Sequence, residues 1–201
     1  MNKEFCIPIF PLNGVIFFPG TELPLNIFEK RYIDMIDYSL TRNKKIGMIQ
    51  TQKNGKLFNK GCVGKIVSYN ETGDGRYLIS LKGENIFTVL QEKNLNKKFR
   101  IVSAKTSEVF VKKENDNFFQ KKIFINKYLN LIKESQPDIS LDIINNIETP
   151  LLIKFVAMSS PFQIAEKQML LEAKSLKGLF ETTNSLLDFY NKTMNEDRSI
   201  N

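Results

Sequence analysis

The spacing of apolar residues changes once along this sequence, and that change limits what the chain can fold into. Up to residue 112, short runs of alternating or continuous apolar residues are separated by Gly and Pro, a pattern typical of β-strands. From about residue 117, apolar residues recur every three or four positions, which indicates helices. We therefore predict an α+β protein with a strand-rich domain over residues 1–112 and a helical domain over residues 113–201 packed on it.

Short strands separated by turns fill the first domain. Thr72-Gly73-Asp74-Gly75 predicts a hairpin turn, and Lys82-Gly83-Glu84 predicts another. An amphipathic pattern over residues 27–40 predicts one helix early in the domain. The later predicted strands cover residues 45–50, 61–70, 76–82, 85–92 and 100–111. This arrangement is typical of a small β-barrel with one inserted helix.

The first strand region contains an unusual number of helix- and strand-breaking residues. Residues 5–18 read as two extended segments around a turn at Asn13-Gly14. Pro8 and Pro11 lack backbone N–H groups, so we predict that these segments lie at a sheet edge or a bulge.

Helix start signals recur in the second domain. Thr149-Pro150 places a capping residue before a proline at the first helical position. Ser160 and Gln163 have the spacing of a capping box. With the apolar stripes around them, these signals predict a C-terminal α-helical bundle.

Composition excludes the commonest catalytic chemistries. The chain has no His, which removes the Ser-His-Asp triad, the Cys-His pair and the zinc-protease motif. Two Cys without His cannot complete a structural zinc site. Phosphate-binding and dinucleotide-binding glycine motifs are also not matched. We predict no catalytic residue, no metal site and no cofactor.

Positive charge is concentrated in the first domain. The net charge of the whole chain is +7, and residues 1–112 carry 18 basic and 10 acidic side chains. A basic surface of this kind can hold nucleic acid. However, 24 of the 29 basic residues are Lys, whereas bidentate phosphate recognition favours Arg. RNA binding by the basic N-terminal half therefore stands as the alternative function.

The sequence carries no signal for a membrane or for export. Pro8 and Pro11 interrupt the only N-terminal apolar stretch, and no run approaches the length of a transmembrane helix. We predict a cytoplasmic protein.

Residues 7–40, IPIFPLNGVIFFPGTELPLNIFEKRYIDMIDYSL, resemble the opening of the Lon protease N-terminal domain. Two weaker stretches agree: residues 61–83, and Glu166-Lys167-Gln168 with Leu170-Leu171-Glu172. The residues that we take as structural members of the family motif are Pro11, Pro19, Gly20, Glu29, Arg31, Tyr32 and Gly83. Asn85-Ile86 departs from the family pattern, which often has a basic residue before an aromatic one there.

The resemblance implies a PUA-like β-pseudobarrel followed by a helical bundle, and a free-standing substrate-binding domain without ATPase and peptidase modules. Such a domain would bind unfolded or specific client polypeptides and serve as an adaptor to a separate Lon-type protease. The bulky residues near the Pro-rich edge, Phe17, Phe18 and Leu23, are the predicted contacts. Glu29 and Arg31 do not share a helix face, so each is expected to hold the helix end to nearby backbone.

Overall fold

The computed structural model describes residues 4–107, 119–133 and 141–200. These residues form six strands and six helices. The strands are β1 (Glu4–Pro11), β2 (Glu22–Ile27), β3 (Lys45–Thr51), β4 (Leu57–Glu71), β5 (Tyr77–Lys93) and β6 (Ile101–Ser107). The helices are α1 (Lys30–Leu40), α2 (Lys121–Ile132), α3 (Leu141–Asn146), α4 (Thr149–Ser159), α5 (Ile164–Leu171) and α6 (Leu176–Ile200). The predicted α+β class is confirmed.

The chain divides into a barrel unit, Met1–Val109, and a helical unit, Phe110–Asn201. The predicted boundary at residues 112/113 lies outside the described residues, and the predicted packing of the two domains stays a prediction.

Five strands close the barrel. The sheet order is β2-β5-β4-β3-β1-β6, and β6 pairs again with β5, so that β5, β4, β3, β1 and β6 form a ring. All pairs are antiparallel except β1 with β3. Closure removes most of the open sheet edges, and the interior is filled with buried apolar side chains. The core cluster consists of Ile7, Ile9, Ile49, Val63, Phe87, Val102 and Ala104.

Strand β1 is one of the strands of the closed ring, so of the two positions predicted for its prolines, a sheet edge or a bulge, the sheet edge is wrong. Residues 4–8 of β1 pair with β6, whereas residues 9–11 pair with β3. Pro8 therefore lies where β1 changes its pairing partner from β6 to β3. A missing N–H group is tolerated there because neither ladder has to continue through this residue. The predicted turn at Asn13-Gly14 is confirmed, with Gly14 at φ +75°.

The predicted turn at residues 82–84 is absent, because β5 runs through it as one strand of 17 residues. Gly64 of β4 pairs with Gly83, and Val63 pairs with Asn85, so Glu84 is an extra residue on β5. A β-bulge uses the same residue types as a turn, which explains the wrong prediction. The hairpin turn at residues 72–75 is confirmed, with Gly75 at φ +79°.

Helical signals in the second unit are confirmed, but two start positions differ. Helix α4 begins at Thr149, with Glu148 as its capping residue. Ser160 ends α4 by donating its hydroxyl to the Val156 carbonyl at 2.7 Å, and does not start α5. The capping box belongs instead to Gln163, whose N–H donates to Glu166 Oε2 at 2.8 Å.

Candidate functional site

The barrel strands β4 and β5 continue beyond the point at which the ring closes. Strand β3 accompanies β4 only as far as Lys65, and β6 accompanies β5 only from Ile86 onward. In the other direction, β5 pairs with β2 over six residues. We call the sheet formed by β2, residues 66–71 of β4 and residues 77–82 of β5 the three-stranded extension.

A backbone corner attaches the extension to the barrel. The Gly83 N–H donates to the Thr21 carbonyl at 2.9 Å, and the Gly20 N–H donates to the Gly83 carbonyl at 2.9 Å. A Cβ atom on Gly83 would overlap the Phe18 carbonyl oxygen, so no larger residue fits this strand position. Gly20 itself has φ +83°, a conformation that favours glycine. The close approach at Gly83 and the positive φ at Gly20 favour glycine at both positions.

Helix α1 is tied to the extension by a hydrogen bond. The Tyr77 hydroxyl donates to Asp37 Oδ1 at 2.8 Å. This bond to a carboxylate, together with burial, raises the pKa of Tyr77 to about 12, so the phenol stays protonated at neutral pH. The Tyr69 ring lies 6.4 Å from the Tyr77 ring, between centroids.

Large apolar side chains of the extension and its border are exposed to solvent. Tyr69 and Leu78 are 53% and 46% exposed, and Val67 stands at a register shift of β4. Phe28 directly follows β2 and is 65% exposed. Leu78 faces away from the side on which Tyr77 and Ile79 are buried, since side chains alternate along a strand. Tyr69 is in register with Ile79 and therefore lies on the other face from Leu78. This end of the barrel unit thus offers exposed apolar side chains on both faces of the extension.

Two of the three predicted contact residues are in the interior. Phe17 and Phe18 are 1% and 0% exposed, so the prediction that they line a polypeptide-binding surface is wrong. They follow the turn at Asn13-Gly14 and do not lie in a strand. The Phe17 ring packs against Gly64 and close to Leu81. Leu23 lies half-buried in β2 and stays a prediction.

The remaining motif residues lie at the start of α1, at the end of β1 and in the turn at residues 19–20. Glu29 caps α1 with an extended backbone and pairs with Arg31 at 2.8 Å. We expected each side chain to hold the helix end to nearby backbone, but the two bind each other, because Glu29 lies outside the helix and can reach Arg31. Tyr32 is buried, and its ring packs edge-on against Phe10 at 4.4 Å. Two prolines complete the set: Pro11 ends β1, and Pro19 precedes Gly20 in its turn.

A basic and aromatic cluster escaped the sequence analysis because it brings the end of α1 together with residues 97–99, which are far from it in the chain. The Arg42 guanidinium lies 3.6 Å from the ring centroid of Tyr38, and Lys97 Nζ lies 5.5 Å from the same ring. Phe99 packs against Tyr38 at 5.3 Å. Arg42 also donates to the Tyr38 carbonyl at 3.0 Å, so it satisfies a carbonyl group at the end of α1. The cluster therefore has a structural role as well as a positive charge.

The barrel unit also contains a cavity. A cavity of about 190 Å³ is bordered by Cys6 and by the ion pair of Lys45 with Glu84, whose charged atoms are 2.5 Å apart. Each charge there is neutralised by the other. Within the described ranges, no three His, Cys, Asp or Glu side chains come together as metal ligands. None of the helices in those ranges is long and apolar enough to span a membrane.

Solved structures define the class of fold. A crystal structure of a Lon N-terminal domain protein from Xanthomonas campestris aligns with a TM-score of 0.63 at 17% identity, covering 92% of this chain and 98% of that chain. The N-terminal domain of a Mycobacterium avium complex Lon protease aligns at 0.66 and 16% identity, covering 94% and 98%. The fold is that of Lon N-terminal domains.

Sequence comparison then identifies the family. The family of the ATP-dependent protease La (LON) substrate-binding domain matches residues 6–188, and this chain belongs to it. Lon protease 2 of Myxococcus xanthus is 26% identical over 94% of this chain and 24% of its own length. Lon protease of Flavobacterium johnsoniae is 28% identical over 88% and 23%. The chain spans about a quarter of the length of these relatives.

Proposed function

We propose that this chain binds unfolded or selected polypeptides through the three-stranded extension, catalyses no reaction itself, and serves as an adaptor to a Lon-type ATP-dependent protease in the cytoplasm. The observation that carries the proposal is the set of exposed apolar side chains on this extension, in a chain of the substrate-binding family. A polypeptide segment bound at this end of the sheet would cover some of these exposed side chains.

Two leucines on the same strand allow a matched test. Leu78 in the extension is 46% exposed, and Leu90, twelve residues further along β5, is 43% exposed. Neither side chain is part of the buried core, so Leu78→Ser and Leu90→Ser should both leave the fold intact. Only the first change removes apolar surface from the proposed contact. Burying the exposed half of a leucine contributes about 1 kcal/mol, or about a fivefold change in affinity.

The assay is fluorescence anisotropy of labelled, reduced and carboxymethylated α-lactalbumin, which remains unfolded. The proposal predicts saturable binding by the unchanged protein, competition by the unlabelled unfolded chain, and no competition by native α-lactalbumin. Leu78→Ser should weaken binding about fivefold, whereas Leu90→Ser should change it less than twofold. Equal effects of the two substitutions would place the contact elsewhere.

RNA binding is the second candidate, and the cluster of Tyr38, Arg42 and Lys97 favours it. Aromatic rings beside basic side chains are the usual platform for single-stranded nucleic acid. This candidate predicts that a labelled 20-nucleotide RNA binds more weakly as salt rises from 50 to 200 mM. Arg42→Ala combined with Lys97→Ala should then reduce both the affinity and its salt dependence. Binding of unfolded α-lactalbumin without RNA binding would exclude the alternative.

A further inference from the structure

Hydrogen bonds in the hairpin fix which backbone groups of β4 face outward. The Thr72 N–H donates to the Arg76 carbonyl at 2.8 Å, so at this pair the backbone groups of the two strands point toward each other. Such pairs alternate along antiparallel strands, and the next one is Asn70 with Leu78. The backbone N–H and C=O groups of Tyr69 and Glu71 therefore point away from β5. No strand of the described part of the chain pairs with β4 on that side beyond Ile66.

The neighbouring chain leaves this edge open by turning away. The Ile66 N–H donates to the Lys44 carbonyl at 2.7 Å, and beyond it the described residues show no backbone hydrogen bond from the β3 side to β4. Lys44 has φ +57°, the only left-handed non-glycine residue among those described, and marks the bend from α1 into β3. The N–H groups of Thr41, Arg42 and Lys44 are bound to the last turn of α1. They are therefore unable to pair with β4.

The opposite edge of the extension is blocked. The Gly83 N–H donates to the Thr21 carbonyl, so Thr21, directly before β2, is a hydrogen-bonded position of the pairing with β5. Hydrogen-bonded and outward-facing positions alternate along the strand. The backbone groups of Leu23 and Leu25 therefore point toward β5, and those of Glu22, Pro24 and Asn26 point toward solvent. Pro24 has no N–H to offer in the middle of this edge. Edge prolines protect sheets from pairing with other chains, and β4 has none at its open edge.

Side chains beside the open edge suggest the chemistry of the occupant. Tyr69 and Val67 present exposed apolar surface there. Lys44 and Lys65 are exposed at the Ile66 end, and Lys65 stands in register between Lys45 and Lys82. No acidic side chain of the described residues forms an ion pair with Lys44 or Lys65. Lys45 is neutralised by Glu84, so the positive charge that favours an acidic residue at this end is that of Lys44 and Lys65.

We propose that the outer edge of β4 at Tyr69 and Glu71 accepts an extended polypeptide segment as an added strand, with an acidic side chain beside Lys44 and Lys65. This inference rests on the proposed function and names its binding mode. Main-chain pairing gives such a site affinity for any extended segment, and the flanking side chains give it preference. A strand over residues 67–71 would span about 16 Å.

Proline substitutions test the edge directly, because they remove an N–H group. Tyr69→Pro removes the outward N–H together with the ring, and Tyr69→Ala removes the ring alone. Asn26→Pro removes an outward N–H from the opposite, already blocked edge. With labelled, reduced and carboxymethylated α-lactalbumin as the probe, Tyr69→Pro should bind at least tenfold more weakly than Tyr69→Ala. Asn26→Pro should bind within twofold of the unchanged protein.

Hydrogen exchange of the unchanged protein keeps the inference testable if Tyr69→Pro does not fold. The amides of Tyr69 and Glu71 should exchange rapidly in the free protein and become protected when the probe is bound. Probe binding without protection of these amides would overturn the inference. Equal affinities of Tyr69→Pro and Tyr69→Ala would also overturn it. Either result would leave the proposed function standing. Absence of probe binding by the unchanged protein would overturn both.

Discussion

Replacing Gly83 with Ala should strongly destabilise the barrel unit, because Gly83 joins the extension to the corner at residues 18–21. The added Cβ would overlap the Phe18 carbonyl oxygen, which is backbone and cannot rotate away. The corner at residues 18–21 would have to move. That movement breaks the two 2.9 Å hydrogen bonds that join Gly83 to Thr21 and Gly20.

The magnitude follows from these contacts. Two lost hydrogen bonds cost about 1 kcal/mol each. Overpacking of a well-packed site adds about 1–3 kcal/mol. We therefore expect Gly83→Ala to lower the free energy of unfolding by about 3–5 kcal/mol, a large part of the stability of a typical domain.

Two other glycines provide a graded comparison. At Gly64 the nearest atom to a new Cβ is Cε1 of the Phe17 ring at 2.9 Å, and a ring can shift. Gly64→Ala should cost about 1–3 kcal/mol. Gly73 has open space around it and no positive φ, so Gly73→Ala should change stability by less than about 0.5 kcal/mol. Urea unfolding followed by circular dichroism measures all three. The reasoning is refuted if Gly83→Ala unfolds within about 1 kcal/mol of the unchanged protein.

Three further predictions concern burial and protonation. Phe17→Ala should lower the free energy of unfolding by about 3–5 kcal/mol, because its ring is buried. Phe28→Ala should change it by less than about 0.5 kcal/mol, because its ring is exposed. Urea unfolding measures both, and similar losses would contradict the burial of Phe17. The hydrogen bond of Tyr77 to Asp37 raises the pKa of that phenol to about 12, above its unfolded value near 10. Its stabilisation should be complete below pH 10 and disappear as pH rises to 12, and Tyr77→Phe should lose stability less steeply over that window in thermal melts. Burial lowers the pKa of Lys167, so the unfolded chain binds the proton more tightly than the folded one. As pH rises toward 10.5, the free energy of unfolding of the unchanged protein should therefore increase more than that of the Lys167→Met variant. Parallel pH profiles of the unchanged protein and the variant would contradict this.

Local patterns predicted the elements of this fold well, because strand and helix periods depend on neighbouring residues. The helix predicted at residues 27–40 is present over Lys30–Leu40, and the hairpin turn at residues 72–75 and the change to helical periodicity are also present. Errors arose where one residue type serves two geometries. Gly83 belongs to a bulge in place of a turn, and Ser160 ends a helix in place of starting one.

The candidate site was less accessible to sequence reasoning because it depends on pairing between distant segments. From the sequence, Phe17 and Phe18 could be surface contacts. The structure shows that the Phe17 ring packs against Gly64 of β4, which is distant in the chain. The open edge at Tyr69 exists only because β3 leaves β4 at Lys65, a register that no local pattern specifies. The contact of Arg42 and Lys97 with Tyr38 likewise joins residues from separate loops.

The central claim is that the barrel unit captures unfolded polypeptide at the three-stranded extension. Its most direct test is site-specific crosslinking from a photoreactive amino acid at position 78, with position 90 as the control, in the presence of reduced and carboxymethylated α-lactalbumin. Our account predicts a strong crosslink from position 78, lost when native α-lactalbumin replaces the unfolded chain, and little from position 90. Equal crosslinking from both positions, or none from position 78, would contradict it.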